Sequence, residues 1–203
     1  MKRSVPLALL LLSLLVAVTA LAGEKAAAAD REALVRELQR TEAKFLESIK
    51  GLSEAQWNFK PAEDRWSIAE CAEHIAATEP LIRSMTAAAL SKELTPEMLA
   101  EARKDEAVLT GVTDRSKKFK APEPVVPTNR FGSPSAAVES FTKERAETIK
   151  LATGEIELRR NGDKHFLFGP LDGYGWFLFE SAHTERHTLQ IEEVKADPNF
   201  PKM

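Results

Sequence analysis

Apolar side chains recur at helical spacing in four stretches of the chain, each bounded by capping or breaking residues. In the first, Leu34, Leu38, Thr41 or Glu42, Phe45 and Ile49 make one face, with Asp30 as the expected N-cap and Gly51 placed to end it. The second opens on a capping box from Ser67 to Glu70 and carries Ile68, Cys71, Ile75, Thr78, Ile82, Met85 and Ala89. His74 falls inside that stripe, so it is expected to face the interior. Ser133-Pro134 opens the third, with Val138, Phe141, Arg145, Ile149 and Ala152 on its inner side and Gly154 at its end. The fourth follows Asp172 and carries Trp176, Phe177, Phe179, His183, His187, Ile191 and Val194, until Asp197-Pro198 stops it.

The connections are less regular. Ser53 to Gln56 predicts a short capping-box turn. Lys92 to Asn129 reads as a long surface crossover: Thr95-Pro96-Glu97 opens a short helix, Lys117 to Lys120 is basic, and Pro122, Pro124 and Pro127 force an extended run. Asn161-Gly162 is a turn signal with only short apolar runs around it, a weak basis for a hairpin. Four amphipathic helices with a long connection between the second and third predict an all-α four-helix bundle, and residues 23–203 are expected to form it as one domain.

The N-terminus stands apart from this pattern. Lys2 and Arg3 precede an apolar run from Leu7 to Val18, and Ala20-Leu21-Ala22 supplies the small residues a signal peptidase reads, so residues 1–22 are expected to be a cleaved signal peptide. A retained membrane anchor is the alternative, since Val5 to Ala22 is just long enough to span a bilayer. Removing the segment leaves 26 bases against 31 acids, a mildly acidic chain that does not suit nucleic acid as a partner. Secretion, or a periplasmic address in a Gram-negative source, also accommodates the single cysteine, Cys71, which has no disulfide partner and is expected to be buried.

The candidate chemistry lies in histidine. His183 and His187 stand four residues apart, a spacing that stacks both rings on one helix face. With His74 from a second helix they make three imidazoles on faces otherwise used for packing, where an unpartnered ring costs roughly 1–3 kcal/mol. A shared divalent ion would satisfy all three and keep open coordination positions, as catalytic sites do. The pattern is not the His-Glu-x-x-His box of zinc proteases, because Thr184 follows His183 and Glu185 lies on another face. His165, off the helices, reads as a solvated loop residue or a residue at the mouth of a site. Cys71 reads as a small apolar filler that could alternatively approach an ion. Arg186 and Gln190 could orient a ligand or make ordinary inter-helix contacts. Neither Glu70 nor Glu73 is well placed as a general base, and Trp57, Trp66, Tyr174 and Trp176 read as core or pocket wall.

Trp66-Ser67-Ile68-Ala69-Glu70-Cys71-Ala72-Glu73-His74, Phe168-Gly169-Pro170-Leu171 and His183-Thr184-Glu185-Arg186-His187-Thr188-Leu189-Gln190-Ile191 together resemble the DinB/YfiT-like superfamily over nearly the whole of residues 23–203. The resemblance implies an up-down-down-up four-helix bundle. It also implies a divalent metal, often nickel or zinc, held by one histidine of the second helix and two of the fourth, here His74, His183 and His187. Relatives include thiol transferases and isomerases in which the metal lowers the pKa of a cofactor thiol. An exported protein meets little reduced thiol, so the expectation is broader: a metal-dependent enzyme activating a thiol or a water, thiol S-transferase-like or a hydrolase. Its partner would be an unidentified small-molecule substrate, with a homodimer left open and no stable membrane insertion after cleavage. A non-catalytic metal-binding or stress-associated module is the alternative.

Overall fold

The computed structural model describes residues 7–102 and 104–202, with side chains from residue 27 onward. Seven helices are present among them: α1 (Leu7–Ser48), α2 (Glu54–Asn58), α3 (Ile68–Leu90), α4 (Pro96–Glu101), α5 (Asp105–Thr113), α6 (Pro134–Ala152) and α7 (Gly173–Lys195). A short 3-10 turn, Glu123–Val125, lies before α6, and strands β1 (Gly162–His165) and β2 (Gly169–Asp172) pair antiparallel before α7. The signal peptide expected over residues 1–22 falls on Met1 to Pro6 and on side chains that lie outside the described residues.

Four of the helices build the bundle, and their directions follow from which residues meet. Glu185 of α7 pairs with Arg40 and Lys44 of α1, and Lys195 reaches the carbonyl of Ser48, so α1 and α7 run parallel. His74 of α3 meets His187, Thr78 meets His183, and Leu90 at the end of α3 lies against Gly173 at the start of α7, so α3 runs against α7. In α6, Arg145 lies on Glu79 of α3 and on the carbonyl of Leu38, and Phe141 packs edge-on against Phe45 of α1 at 5.0 Å. The order is therefore up-down-down-up. Capping boxes at Ser53 and Ser67, and cap bonds from Ser133 and Asp172, start α2, α3, α6 and α7 where the sequence places them.

Three local expectations are corrected. Asp30 is not an N-cap: the alanine-rich segment before it is a strong helix former, α1 runs through, and the Asp30 carboxylate instead binds Arg159. Lys92 to Asn129 is not a bare surface crossover. Within it Val108 and Val112 of α5 are buried against α7 and Val125 is buried against α3, while Thr95 caps the short helix α4 as expected. Nor does the chain turn at Asn161-Gly162. Gly162 begins β1, the turn falls at Phe166 to Phe168, and Gly169 takes up the positive φ of 73° that closes it.

The apolar core divides into two clusters along the bundle axis. One gathers Leu34, Leu38, Ile82, Phe177 and Ala182 near the hairpin; the other gathers Phe45, Ile68, Cys71, Phe141 and Ile191. Between them lies a layer of buried polar groups. Arg145, wholly buried, donates to both carboxylate oxygens of Glu79 (2.6 and 2.9 Å), to the Leu38 carbonyl, and to the hydroxyls of Thr41 and Thr184. A guanidinium removed from water requires this degree of satisfaction.

Candidate metal centre

α3 and α7 lie antiparallel, and the interior faces of both present their histidines to one point. Ring centroids stand 4.5 Å apart for His74 and His187, 4.7 Å for His183 and His187, and 5.2 Å for His74 and His183. One nitrogen from each ring lies within 4.8 Å of the others. His74 and His187 are buried, and His183 is partly open, so the cluster is approached from the side of His183. Trp66, on the residue before the α3 cap, lies against His74 at 4.8 Å and stacks over His187 at 5.9 Å, which makes it a wall of the site.

The partners of the ring nitrogens decide which atoms face inward. Nδ1 of His74 donates to the Val125 carbonyl at 2.7 Å, and Nδ1 of His187 donates to Gln190 Oε1 at 3.0 Å. Thr78 gives its hydroxyl hydrogen to the carbonyl of His74 or Ile75, so the 3.4 Å contact with His183 Nδ1 runs from ring to hydroxyl. All three Nδ1 atoms carry the proton on this reading, and all three Nε2 atoms keep their lone pairs. That is the tautomer a metal-binding imidazole adopts when its second nitrogen is held by a protein acceptor.

Electrostatics support the same protonation state. Desolvation is the first cause at each ring, lowering the pKa of His74 and pushing those of His183 and His187 well below the ordinary 6.5; the neighbouring rings lower His183 and His187 further. Neutral imidazoles in a dry cluster are ready donors. Three neutral nitrogens from rigid helices, with the remaining positions open, fit a divalent first-row ion of the zinc or nickel type.

The other expected residues sort clearly. Gln190 does reach a histidine. Arg186 does not: it donates to the carbonyls of Val112, Asp114 and Lys117 at 2.8, 2.7 and 2.5 Å and so pins the end of α5 to α7. Cys71 is wholly buried in the apolar cluster, where desolvation pushes its thiol well above the ordinary range, so it is filler. His165 is not solvated. It is 3% exposed among Phe166, Phe168, Trp176 and Phe179, its Nδ1 accepts from the Leu167 amide, and desolvation takes its pKa down to about 4. Glu70 closes the α3 capping box and pairs with Lys60, and Glu185 pairs with Arg40 and Lys44.

Sequence reasoning passed over Thr78 and Val125 as acceptors for the rings and over Glu73 as a structural carboxylate. Thr78 sits in the apolar stripe of α3 at one turn from His74, which is a usable signal; a backbone carbonyl such as that of Val125 leaves none.

Comparison with known proteins places this geometry in a family. The family model for the DinB superfamily matches residues 37–191, a span that includes all three histidines. YuaE, an uncharacterized protein of Bacillus subtilis (strain 168), is 30% identical over 148 residues, covering 72% of this chain and 88% of its own. Among solved structures, YfiT from Bacillus subtilis, described as a probable metal-dependent hydrolase with an unusual four-helix bundle topology, superposes with a TM-score of 0.53 at 12% identity, over 81% of this chain and 85% of its own. That likeness bears on the fold. With the family model spanning most of the chain, this protein belongs to the DinB superfamily.

Proposed function

We propose that His74, His183 and His187 hold a divalent first-row metal ion through their Nε2 atoms, and that the protein is an exported metal-dependent enzyme, a hydrolase in the first instance. The observation that carries the reading is the convergence of the rings: one nitrogen of each lies within 4.8 Å of the others, while each Nδ1 has a hydrogen-bond partner within the chain, which leaves the Nε2 atoms for an ion. A bound ion of this kind would acidify a coordinated water or thiol and polarise a substrate oxygen. The chain's own groups hold the rings neutral and oriented, and Trp66 shields two of them from bulk water. Water is favoured over a thiol from this chain because Cys71 is sealed in the core.

One observation favours the runner-up, a metal-binding module without catalysis. The carboxyl groups near the histidines in sequence offer no free base: Glu73 is held by backbone amides, Glu185 by Arg40 and Lys44, Glu70 by its capping box, and the carboxyl of Glu180 is pushed toward its acid form by burial and the neighbouring Glu79. No general base beside the cluster is evident among the described residues, so chemistry would rest on the ion alone.

Elemental analysis of purified protein, with melting curves in zinc and in chelator, tests the metal. An ion at a hundredfold excess over its Kd stabilises the native state by about 2.7 kcal/mol, and His187→Ala should abolish that gain. Equal melting temperatures with zinc and with chelator would overturn the reading. Hydrolysis of activated esters and amides, lost in His187→Ala, would separate enzyme from binding module.

A further inference from the structure

Glu73, the residue before His74, faces away from the three imidazoles and is 7% exposed. It grips the crossover that walls the site. Its Oε1 accepts from the amides of Thr128 (2.7 Å) and Arg130 (3.0 Å), its Oε2 accepts from the amide of Asn129 (2.8 Å), and the Arg130 guanidinium adds a fourth donor at 3.2 Å. Three consecutive amides can point at one carboxylate because Asn129 adopts the left-handed conformation, φ 61°, that asparagine tolerates. Burial pushes this carboxyl up, but the amides and the guanidinium outweigh it, so Glu73 titrates below the ordinary range and stays charged at neutral pH.

The grip extends to the atom that orients His74. Held by Glu73, Arg130 turns its two terminal nitrogens back to the carbonyls of Pro124 and Val126, each at 2.6 Å. Those carbonyls flank Val125, whose own carbonyl accepts the Nδ1 proton of His74 at 2.7 Å. Among the described residues, Val125 is otherwise fixed by the tight turn to Pro122 and by its burial against α3. A free peptide in this proline-rich run has no reason to aim a carbonyl into the bundle, and the Glu73 clamp supplies one.

We propose that Glu73 is a positioning residue for the three-histidine site: through Arg130 it sets the Val125 carbonyl that fixes the tautomer and ring orientation of His74. The proposal deepens the metal reading above, on which its consequence for affinity rests, while the claim about His74 stands on hydrogen bonds alone. Groups that orient a liganding histidine typically carry 10- to 100-fold of the metal affinity.

Two readouts test it. In the metal-free protein, long-range ¹H–¹⁵N spectra report the tautomer of each histidine. Glu73→Gln keeps the shape but loses the charge, and should move His74 away from the pure Nδ1–H form while leaving His183 and His187 unchanged. In zinc competition against a chromophoric chelator, Glu73→Gln should bind about 10- to 100-fold more weakly and shift the visible bands of the cobalt(II) form, whereas Glu185→Gln, a surface carboxylate with two ion pairs, should match wild type. Should Glu73→Gln not fold, Arg130→Met, which keeps the amide contacts and releases Val126 and Pro124, should show the same His74 change and a comparable loss of affinity. An unchanged His74 tautomer together with wild-type affinity in these variants would overturn the proposal. Wild-type protein that binds neither ion would overturn the metal reading, and the His74 spectra would still decide the role of Glu73.

Discussion

At Glu180 the surroundings favour the acid form: Thr148 has one hydrogen to give and stands 2.9 Å from Glu180 Oε1, 3.0 Å from Glu79 Oε1 and 3.3 Å from the Glu144 carbonyl. Arg145 lies bidentate on Glu79, so Glu79 is the carboxylate, and the acid is Glu180, wholly buried with its second oxygen unpartnered among the described residues. Burial and the charge of Glu79 both raise its pKa well above the ordinary 4.5. The sign follows. The unfolded chain releases this proton as pH rises through about 4.5 while the folded chain keeps it, so stability is lost with rising pH, by up to about 1.4 kcal/mol per unit, until the folded pKa is reached. Glu180→Gln mimics the protonated acid and should remove that slope, making the variant more stable than wild type at pH 8 but not at pH 4.5 in urea unfolding. Parallel pH profiles for the two proteins would show that Glu180 is ionised in the native state.

At the scale of elements, the hairpin and the crossover between α3 and α6 do what an all-helical reading leaves to loops. The hairpin seats α7: Asp172, paired with Gly162 across the strands, caps that helix at Gly175, and Trp176 donates to the Asp163 carbonyl. Gly162 permits the seating, since a Cβ there would lie 2.2 Å from the Leu171 carbonyl oxygen and 2.8 Å from Asp172 Cα, both backbone atoms that cannot swing aside. Gly162→Ala should therefore cost on the order of 1–3 kcal/mol in denaturant unfolding, the range of an overpacked site. A loss below about 0.5 kcal/mol would mean that the strands separate freely there. The hairpin was poorly legible because its strands are only four residues each and lack alternation: β1 includes Asp163 and Lys164, and β2 includes Pro170. α5 was missed for a related reason. Nine residues with two buried valines make too short a pattern to stand out from a polar crossover.

For the whole molecule, Asp30 and Arg31 tie the early part of the described side chains to the segment between α6 and β1: Asp30 binds Arg159, and Arg31 donates to the carbonyls of Gly154 and Ile156. If residues 1–22 are a leader, the fold should not need them. Protein recovered from the cell envelope should have an intact mass beginning near Gly23, and a chain of residues 23–203 should melt within about 2 °C of the full-length chain, the shift expected from less than 1 kcal/mol at this size. An intact mass that includes Met1 in the membrane fraction would instead support the retained anchor.

What the sequence by itself determined was everything that repeats along a helix. The four amphipathic stripes, the N-caps of the last three and the placement of His74, His183 and His187 on inward faces follow from a period of 3.6 residues and from local hydrogen-bonding rules, which neighbouring residues carry. The tertiary structure decided what depends on groups distant in sequence. It brought the Val125 carbonyl to His74 and the Thr78 hydroxyl to His183, 51 and 105 residues apart in the chain, whereas Gln190, one turn from His187 on the same helix, was within reach of the sequence; and it turned Glu73 toward amides 55 to 57 residues away. A carbonyl or an amide is present at nearly every position, so no pattern of side chains marks the one that the fold will bring within 2.7 Å of an imidazole.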